Sequence, residues 1–271
     1  MSVVADSLGL TIVESLRGGQ FGACVVNDPA RGDDERLVLK AVDWGDMRQR
    51  WATGAAMAEA VRATGYPAPR YVGTGMVDRY TWSLQQWLPG AVPERGAGEH
   101  IERLVELVLR HADAAPSTTA DTVGDLRGGM ARNLEVLASN DTTRGLADDL
   151  RRTVERTEHV ELRDGDVWHT DFHPYNVLVA DGGVAIIDWE GARPGDYRLD
   201  LACLAITAPD DACEPAEDAL RRVAPAEVAA LCIAWNVAKF VGFDVMQRPQ
   251  LIDRAVADIE ARCAAWWRPL L

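Results

Sequence analysis

The chain has 271 residues, 48% of them hydrophobic and 26% charged, which suits a folded chain that buries a real core, as one large domain or two modest ones. Its 28 Lys and Arg against 42 Asp and Glu give a formal charge of -14, which repels polyanions and argues against nucleic acid or an anionic membrane as partner, while favouring cationic ligands. Five cysteines, odd in number and without a CxxC pair, indicate neither a disulfide framework nor a zinc cluster.

In chain order, "TIVESL", "FGACVVND" and "RLVLKAV" read as strands, the last two joined by the polar turn "PARGDDE". The glycine-rich "RGGQFG" connects the first two. "DMRQRWATGAAMAEAVRAT" reads as a helix closed by Gly65, and "RYVGTG" and "YTWSLQQWL" as two further strands before Pro89 and Gly90 break the chain. Beyond residue 90 the pattern turns to long amphipathic helices: "EHIERLVELVLRHADA", "VGDLRGGMARNLEVLAS", "RGLADDLRRTVERTEH" and, near the end, "PAEVAALCIAWNVAKFVGFDVM" and "DRAVADIEARCAAWW". The division therefore falls at 1–89 and 90–271. Asp6 and Glu14 precede the first basic residue, unlike a secretory signal, and "VAALCIAWNVA" is about half of a membrane span, so the expectation is a cytoplasmic protein.

Residues 167 to 191, "VWHTDFHPYNVLVADGGVAIIDWEG", carry the chemistry. "VLVA" and "VAIID" form a hairpin around Asp181-Gly182-Gly183; closed on that three-residue turn, Ala180 pairs with Val184 and Asn176 with Asp188. An amide oxygen and a carboxylate at neighbouring strand ends make a hard oxygen site suited to Mg²⁺. A second carboxylate, Asp171, stands five residues before Asn176, where it can orient a hydroxyl and accept its proton. Together these point to phosphoryl transfer.

"HTDFHPYN" followed by "IIDWEG" resembles the catalytic loop and metal-binding segment of the aminoglycoside phosphotransferase and choline kinase family, relatives of the protein kinases. The resemblance implies an α+β, bilobal, protein-kinase-like fold: a small, mainly antiparallel β lobe with one helix, then a larger helical lobe carrying the catalytic loop and hairpin. It implies ATP or GTP as phosphate donor with Mg²⁺, and a monomer acting on a small hydroxyl acceptor. Asp171 becomes the base or hydroxyl-orienting residue, His169 the brace of its loop, and Asn176 and Asp188 the Mg²⁺ ligands. Asp200, in "PGDYRLDLACLAI", helps hold the loop.

Gly18, Gly19 and Gly22 resemble a nucleotide-covering loop, and Lys40 in "RLVLKAV" the lysine that meets the α- and β-phosphates; a solvent-facing lysine is the alternative. The family pairs that lysine with a glutamate on the next helix, yet that position is Gly54. Glu59, five residues on and turned by roughly 140°, either pairs with Lys40 through a shifted helix or leaves the pair absent. "SLQQWLPG" resembles the hinge, where the carbonyl of Gln86 and the amide of Leu88 would meet the purine. Acidic and aromatic residues after position 200, among them Asp210, Asp211, Trp235 and Asp244, suit a cationic acceptor such as an aminoglycoside or basic peptide antibiotic, giving resistance; for each taken singly, a solvated helix face or a core aromatic is the alternative. A metabolic kinase for choline, homoserine, a ketosamine or a sugar, and a nucleotide-binding module without catalysis, are the alternatives.

Overall fold

The computed structural model describes residues 1–16, 22–31, 35–45, 47–93, 97–116, 122–181 and 183–271. Gly18 and Gly19 of the glycine-rich turn lie outside them.

The N-terminal part is a five-stranded antiparallel sheet, ordered β1-β2-β3-β5-β4, of Thr11–Leu16 (β1), Ala23–Asn27 (β2), Arg36–Val42 (β3), Tyr71–Val77 (β4) and Tyr80–Gln86 (β5). Side chains alternate across β3, so Leu37 and Leu39 share one face while Lys40 takes the other. Leu37 and Leu39 join Cys24, Val26 and Leu84 in a small core. That core is closed by a short helix, Ser2–Ser7 (α1), through Val4 and Ala5. The sequence reading placed one helix in this part; α1 is a second, and covering the apolar sheet face is its physical reason.

The expected helix is Arg48–Arg62 (α2), whose buried Trp51, Gly54, Met57, Ala58 and Val61 recur at helical spacing and form one stripe. Gly65 follows it at φ +78°, the left-handed conformation that suits glycine.

From residue 98 onward the chain is largely helical. Ile101–Leu109 (α3), Thr122–Ala138 (α4) and Arg144–Arg156 (α5) come first. Arg198–Thr207 (α6), Glu214–Val223 (α7), Ala226–Gln247 (α8) and Ile252–Trp267 (α9) follow. Between the two groups lie the short strands Asp166–Trp168 (β6), Val177–Ala180 (β7), Gly183–Ile186 (β8) and Arg193–Gly195 (β9), paired as β6 with β9 and β7 with β8. Helix α8 is long and apolar enough to cross a membrane, a length that the shorter uncharged stretch in the sequence did not suggest. Most of it is buried, packed on α4, α6 and α9 as the spine of the main core.

The β7–β8 hairpin forms, one residue out of the expected register. Ala180 pairs with Gly183 and Val177 with Ile186, which leaves two residues to turn the chain instead of three. Asp-Gly is the favoured pair for a two-residue turn, and shortening the loop by one slides the strands by one. Asn176 therefore lies opposite Ile187, whose N–H donates to its carbonyl at 3.0 Å, and Asp188 stands one residue beyond.

Candidate active site

The loop from His169 to Asn176 is held by buried polar bonds. Asp200, at the start of α6 and fully buried, accepts the N–H groups of His169 (2.8 Å) and Thr170 (3.3 Å). Its Oδ2 also meets His111 Nδ1 at 3.1 Å, and His111 Nε2 lies 2.9 Å from the Tyr66 hydroxyl. His169 Nε2 sits 3.0 Å from the Ile187 carbonyl, so that nitrogen carries the proton and ties the loop to the end of the hairpin. Burial pushes the His169 imidazole down to about 4, against the pull of Asp200 and Asp171, so the brace is neutral. Its ring packs edge-on against Trp189 and Phe172, with centroids 4.6 and 5.6 Å away.

At the loop's centre both oxygens of Asp171 are engaged. Oδ2 accepts from Asn176 Nδ2 at 3.1 Å and lies 3.3 Å from His173 Nε2; Oδ1 accepts from Lys239 Nζ at 2.6 Å. The Tyr175 N–H donates to His173 Nδ1 (3.2 Å), leaving the proton of that ring on the nitrogen facing Asp171. Burial alone would raise the Asp171 carboxyl, but Lys239 and His173 outweigh it and hold the group well below the usual carboxylate range.

Asn176 turns its amide nitrogen to Asp171 (2.9 Å to the carbonyl), and its Oδ1 accepts no bond from any described residue. Asp188 receives Lys40 on Oδ1 at 2.6 Å, which leaves Oδ2. Two hard oxygens with spare lone pairs suit Mg²⁺ in their donor chemistry, while no group of three His, Cys, Asp or Glu that could hold a metal occurs among the described residues. Mg²⁺ keeps waters and takes phosphate oxygens for its remaining ligands. Asp188 is held at φ +72°, a left-handed conformation costly outside glycine, and Thr170 at φ +73°. Burial would raise the Asp188 carboxyl; the Lys40 ammonium more than offsets this and lowers it.

Lys40 reaches the site from β3, and its partner is not Glu59. Its ammonium binds Asp188 and, at 2.9 Å, Glu190 Oε2, while Glu190 Oε1 accepts from the Ser83 hydroxyl at 2.8 Å. Ser83 is the β5 residue directly across from Lys40. Burial would lower the lysine, and the two carboxylates together raise it. Glu59 instead accepts from Arg62 (2.6 Å) and from the Tyr71 N–H (3.1 Å). The reason lies at Gly54: a Cβ there would sit 2.1 Å from the Trp189 carbonyl oxygen. The segment carrying Glu190 thus runs against the bare backbone of α2 where a helix glutamate would stand, and Glu190 delivers the carboxylate in its place.

The hinge residues lie at the sheet's end. The Gln86 N–H donates to the Arg70 carbonyl (2.8 Å), and the Trp87 N–H to the Arg36 carbonyl (3.1 Å), with the Arg36 guanidinium over the Trp87 ring. Leu88 follows, half-buried, and Ala91 then bridges to Val179 of the hairpin. Gly22 lies just before β2, near the Met1 side chain.

The expected acceptor residues do not gather at Asp171. Trp235 is buried, packed edge-on against Trp168 and over Gly129, because an indole facing inward on α8 fills core. Asp210 is ion-paired with Arg262 of α9, and Asp211 is exposed. Asp244 lies one turn beyond Phe240 on α8 and pairs with Arg248 at 3.8 Å; it is Phe240 whose ring lies 6.4 Å from that of His173. Burial raises the Asp244 carboxyl, partly countered by Arg248.

Glu190, Ser83, His111 and Lys239 had no role in the sequence reading. The signal for Glu190 was an acidic residue inside the motif itself; for Lys239, a single basic residue in the 22-residue helix α8.

The profile of the phosphotransferase enzyme family matches residues 27–239. No curated protein matches the chain. Among solved structures, choline kinase LicA from Streptococcus pneumoniae superposes with a TM-score of 0.65 at 12% identity, covering 96% of this chain and 98% of its own. A putative fructosamine-3-kinase from Thermobifida fusca gives 0.60 at 21%, with 96% and 98% covered. The amicoumacin kinase hAmiN, in complex with AMP-PNP, Ca²⁺ and Ami, gives 0.63 at 10%, with 94% and 88% covered.

Proposed function

This chain belongs to the phosphotransferase enzyme family, and from that premise we propose that it transfers the γ-phosphoryl group of ATP or GTP, with Mg²⁺, to a hydroxyl of a small molecule. The observation that carries the reading is the convergence of Asp171, Asn176 and Asp188 with Lys40 reaching across from the sheet. Residues 1–89 hold the nucleotide between the glycine turn, Lys40 and the hinge at Gln86 and Leu88, and residues 90–271 supply the metal ligands and the acceptor pocket.

Asp171 orients the acceptor hydroxyl and takes its proton as the new O–P bond forms and the bond from the γ-phosphorus to its bridging oxygen breaks, leaving the nucleoside diphosphate. A carboxylate held this firmly ionised is a weak base, which suits a loose transition state in which the proton moves late. Mg²⁺, held by Asn176 Oδ1 and Asp188, would neutralise phosphate charge.

A basic antibiotic as acceptor is supported by the net charge of -14. A metabolic alcohol is the second reading, favoured by two observations. Lys239 already balances the charge of Asp171, and Trp235 is buried in the core. In either case the protein works as a cytoplasmic monomer without nucleic acid or membrane.

The test is a mass-spectrometric screen with Mg²⁺ and ATP or GTP against aminoglycosides, basic peptide antibiotics, choline, homoserine and fructosamines. The expected product gains one phosphate with wild type and not with Asp171→Asn, which still binds nucleotide, whereas Asp188→Asn loses Mg-nucleotide affinity. Equal loss of nucleotide binding in both variants would contradict these roles.

A further inference from the structure

Helix α8 carries one basic residue among 22, and it points at the reacting end of the site. Lys239 Nζ donates to Asp171 Oδ1 (2.6 Å) and to the Thr170 carbonyl (2.7 Å), with the Phe240 ring centroid 4.7 Å away. An ammonium has three N–H donors, and no described residue accepts the third. About a third of the side chain is exposed, so that donor is accessible to a ligand.

Holding the loop does not account for this placement. Thr170 and His169 are already fixed by Asp200, and Asp171 by Asn176 and His173. A cation on the remaining oxygen weakens Asp171 as a base. It is useful where the chemical demand is to balance negative charge on the group being transferred. On the acceptor side of the site that demand has few other sources: residues 169–176 include no Lys or Arg, and Lys40, on the nucleotide side, is engaged by Asp188 and Glu190.

Resting on the phosphotransfer reading above, we propose that Lys239 is a catalytic residue that donates its third N–H to the transferred phosphoryl group. Throughout the step it keeps its proton; the acceptor's proton goes to Asp171 and the electron pair of the broken P–O bond to the nucleoside diphosphate. Carried on a helix of the main core, the ammonium is placed by packing rather than by the loop it serves.

The experiment compares wild type, Lys239→Ala and Lys239→Arg in Mg²⁺-dependent release of phosphate from ATP and GTP to water. Titration of the non-hydrolysable triphosphate AMP-PNP and thermal unfolding accompany it. Lys239→Ala is expected to lose about 100-fold in kcat, the scale for removing one preorganised donor, with triphosphate affinity and Tm near wild type. Added ethylammonium restores part of the rate, and Lys239→Arg retains part of it. A kcat within about threefold of wild type overturns the proposal. So does a loss of rate that follows the loss of Tm and resists ethylammonium, since that marks a loop clamp. Failure of wild type both to release phosphate and to phosphorylate any acceptor in the screen above, despite AMP-PNP binding, overturns the phosphotransfer reading and this one together, whereas an active wild type with an equally active Lys239→Ala overturns this one alone.

Discussion

Replacing Gly54 by alanine separates two physical expectations of opposite sign. Gly54 is interior to α2, where alanine is favoured over glycine by about 1 kcal/mol on helix propensity alone. The added Cβ, however, would lie 2.1 Å from the Trp189 carbonyl oxygen and 3.1 Å from the Glu190 backbone, while ordinary contact begins at 3.4 Å. Helix and segment must part by 3.4 − 2.1, about 1.3 Å, and the obstacle is backbone, which has no rotamer by which to yield. Overpacking of this kind costs up to about 3 kcal/mol, so the net loss is about 2 kcal/mol. At about 2–4 °C per kcal/mol, Tm falls by about 4–8 °C. Moving Glu190 also loosens Lys40, and triphosphate affinity drops about tenfold, or 1.4 kcal/mol. Gly145→Ala in α5, where a Cβ meets nothing within 4 Å, is the control and raises Tm slightly. Thermal unfolding and AMP-PNP titration read both quantities; a Gly54→Ala protein that gains Tm as Gly145→Ala does, with affinity unchanged, would refute the account of why this helix carries glycine.

Glu190→Gln leaves a buried ammonium short of one carboxylate and is expected to cost about 3 kcal/mol in urea unfolding, along with weaker triphosphate binding. Glu59→Gln removes a half-exposed pair with Arg62 and should cost less than about 1 kcal/mol; equal effects would return the lysine's partnership to the helix. For His169, an exposed imidazole protonates near 6.5 and this buried one only near 4, so the unfolded chain binds the extra proton between those values. This contribution is therefore intact above pH 6.5 and falls away as pH drops to 4, by about 3 kcal/mol in total. Urea unfolding across that range should show the decline, and His169→Gln should flatten it.

The elements and the catalytic stretch were legible because their signals are local. The alternation in "RLVLKAV", the Asp-Gly turn and the spacing of Asp171, Asn176 and Asp188 all lie within short continuous stretches of the sequence. The hairpin register was misread by one because a two-residue and a three-residue turn differ only in backbone geometry at glycine. What pairs with Lys40 was not legible, since Glu190 lies 150 residues away and meets it only through tertiary packing. Lys239 was hidden for the same reason, 68 residues from Asp171 on a helix whose apolar pattern reads as plain core. The acceptor residues failed differently. Acidic and aromatic composition carries no direction, and Trp235 and Asp210 found partners inside the protein.

The origin of the carboxylate beside Lys40 bears on how sequences of this kind are sorted. Judged by the helix position alone, a glycine in place of glutamate marks a chain as degenerate, a fold that has kept its shape and lost its chemistry. Here the same charge arrives from the segment two residues past Asp188, and the glycine is what makes room for it. In this chain the absence of a glutamate at the helix position is therefore no sign that the lysine has lost its carboxylate, since Glu190 supplies it two residues past Asp188.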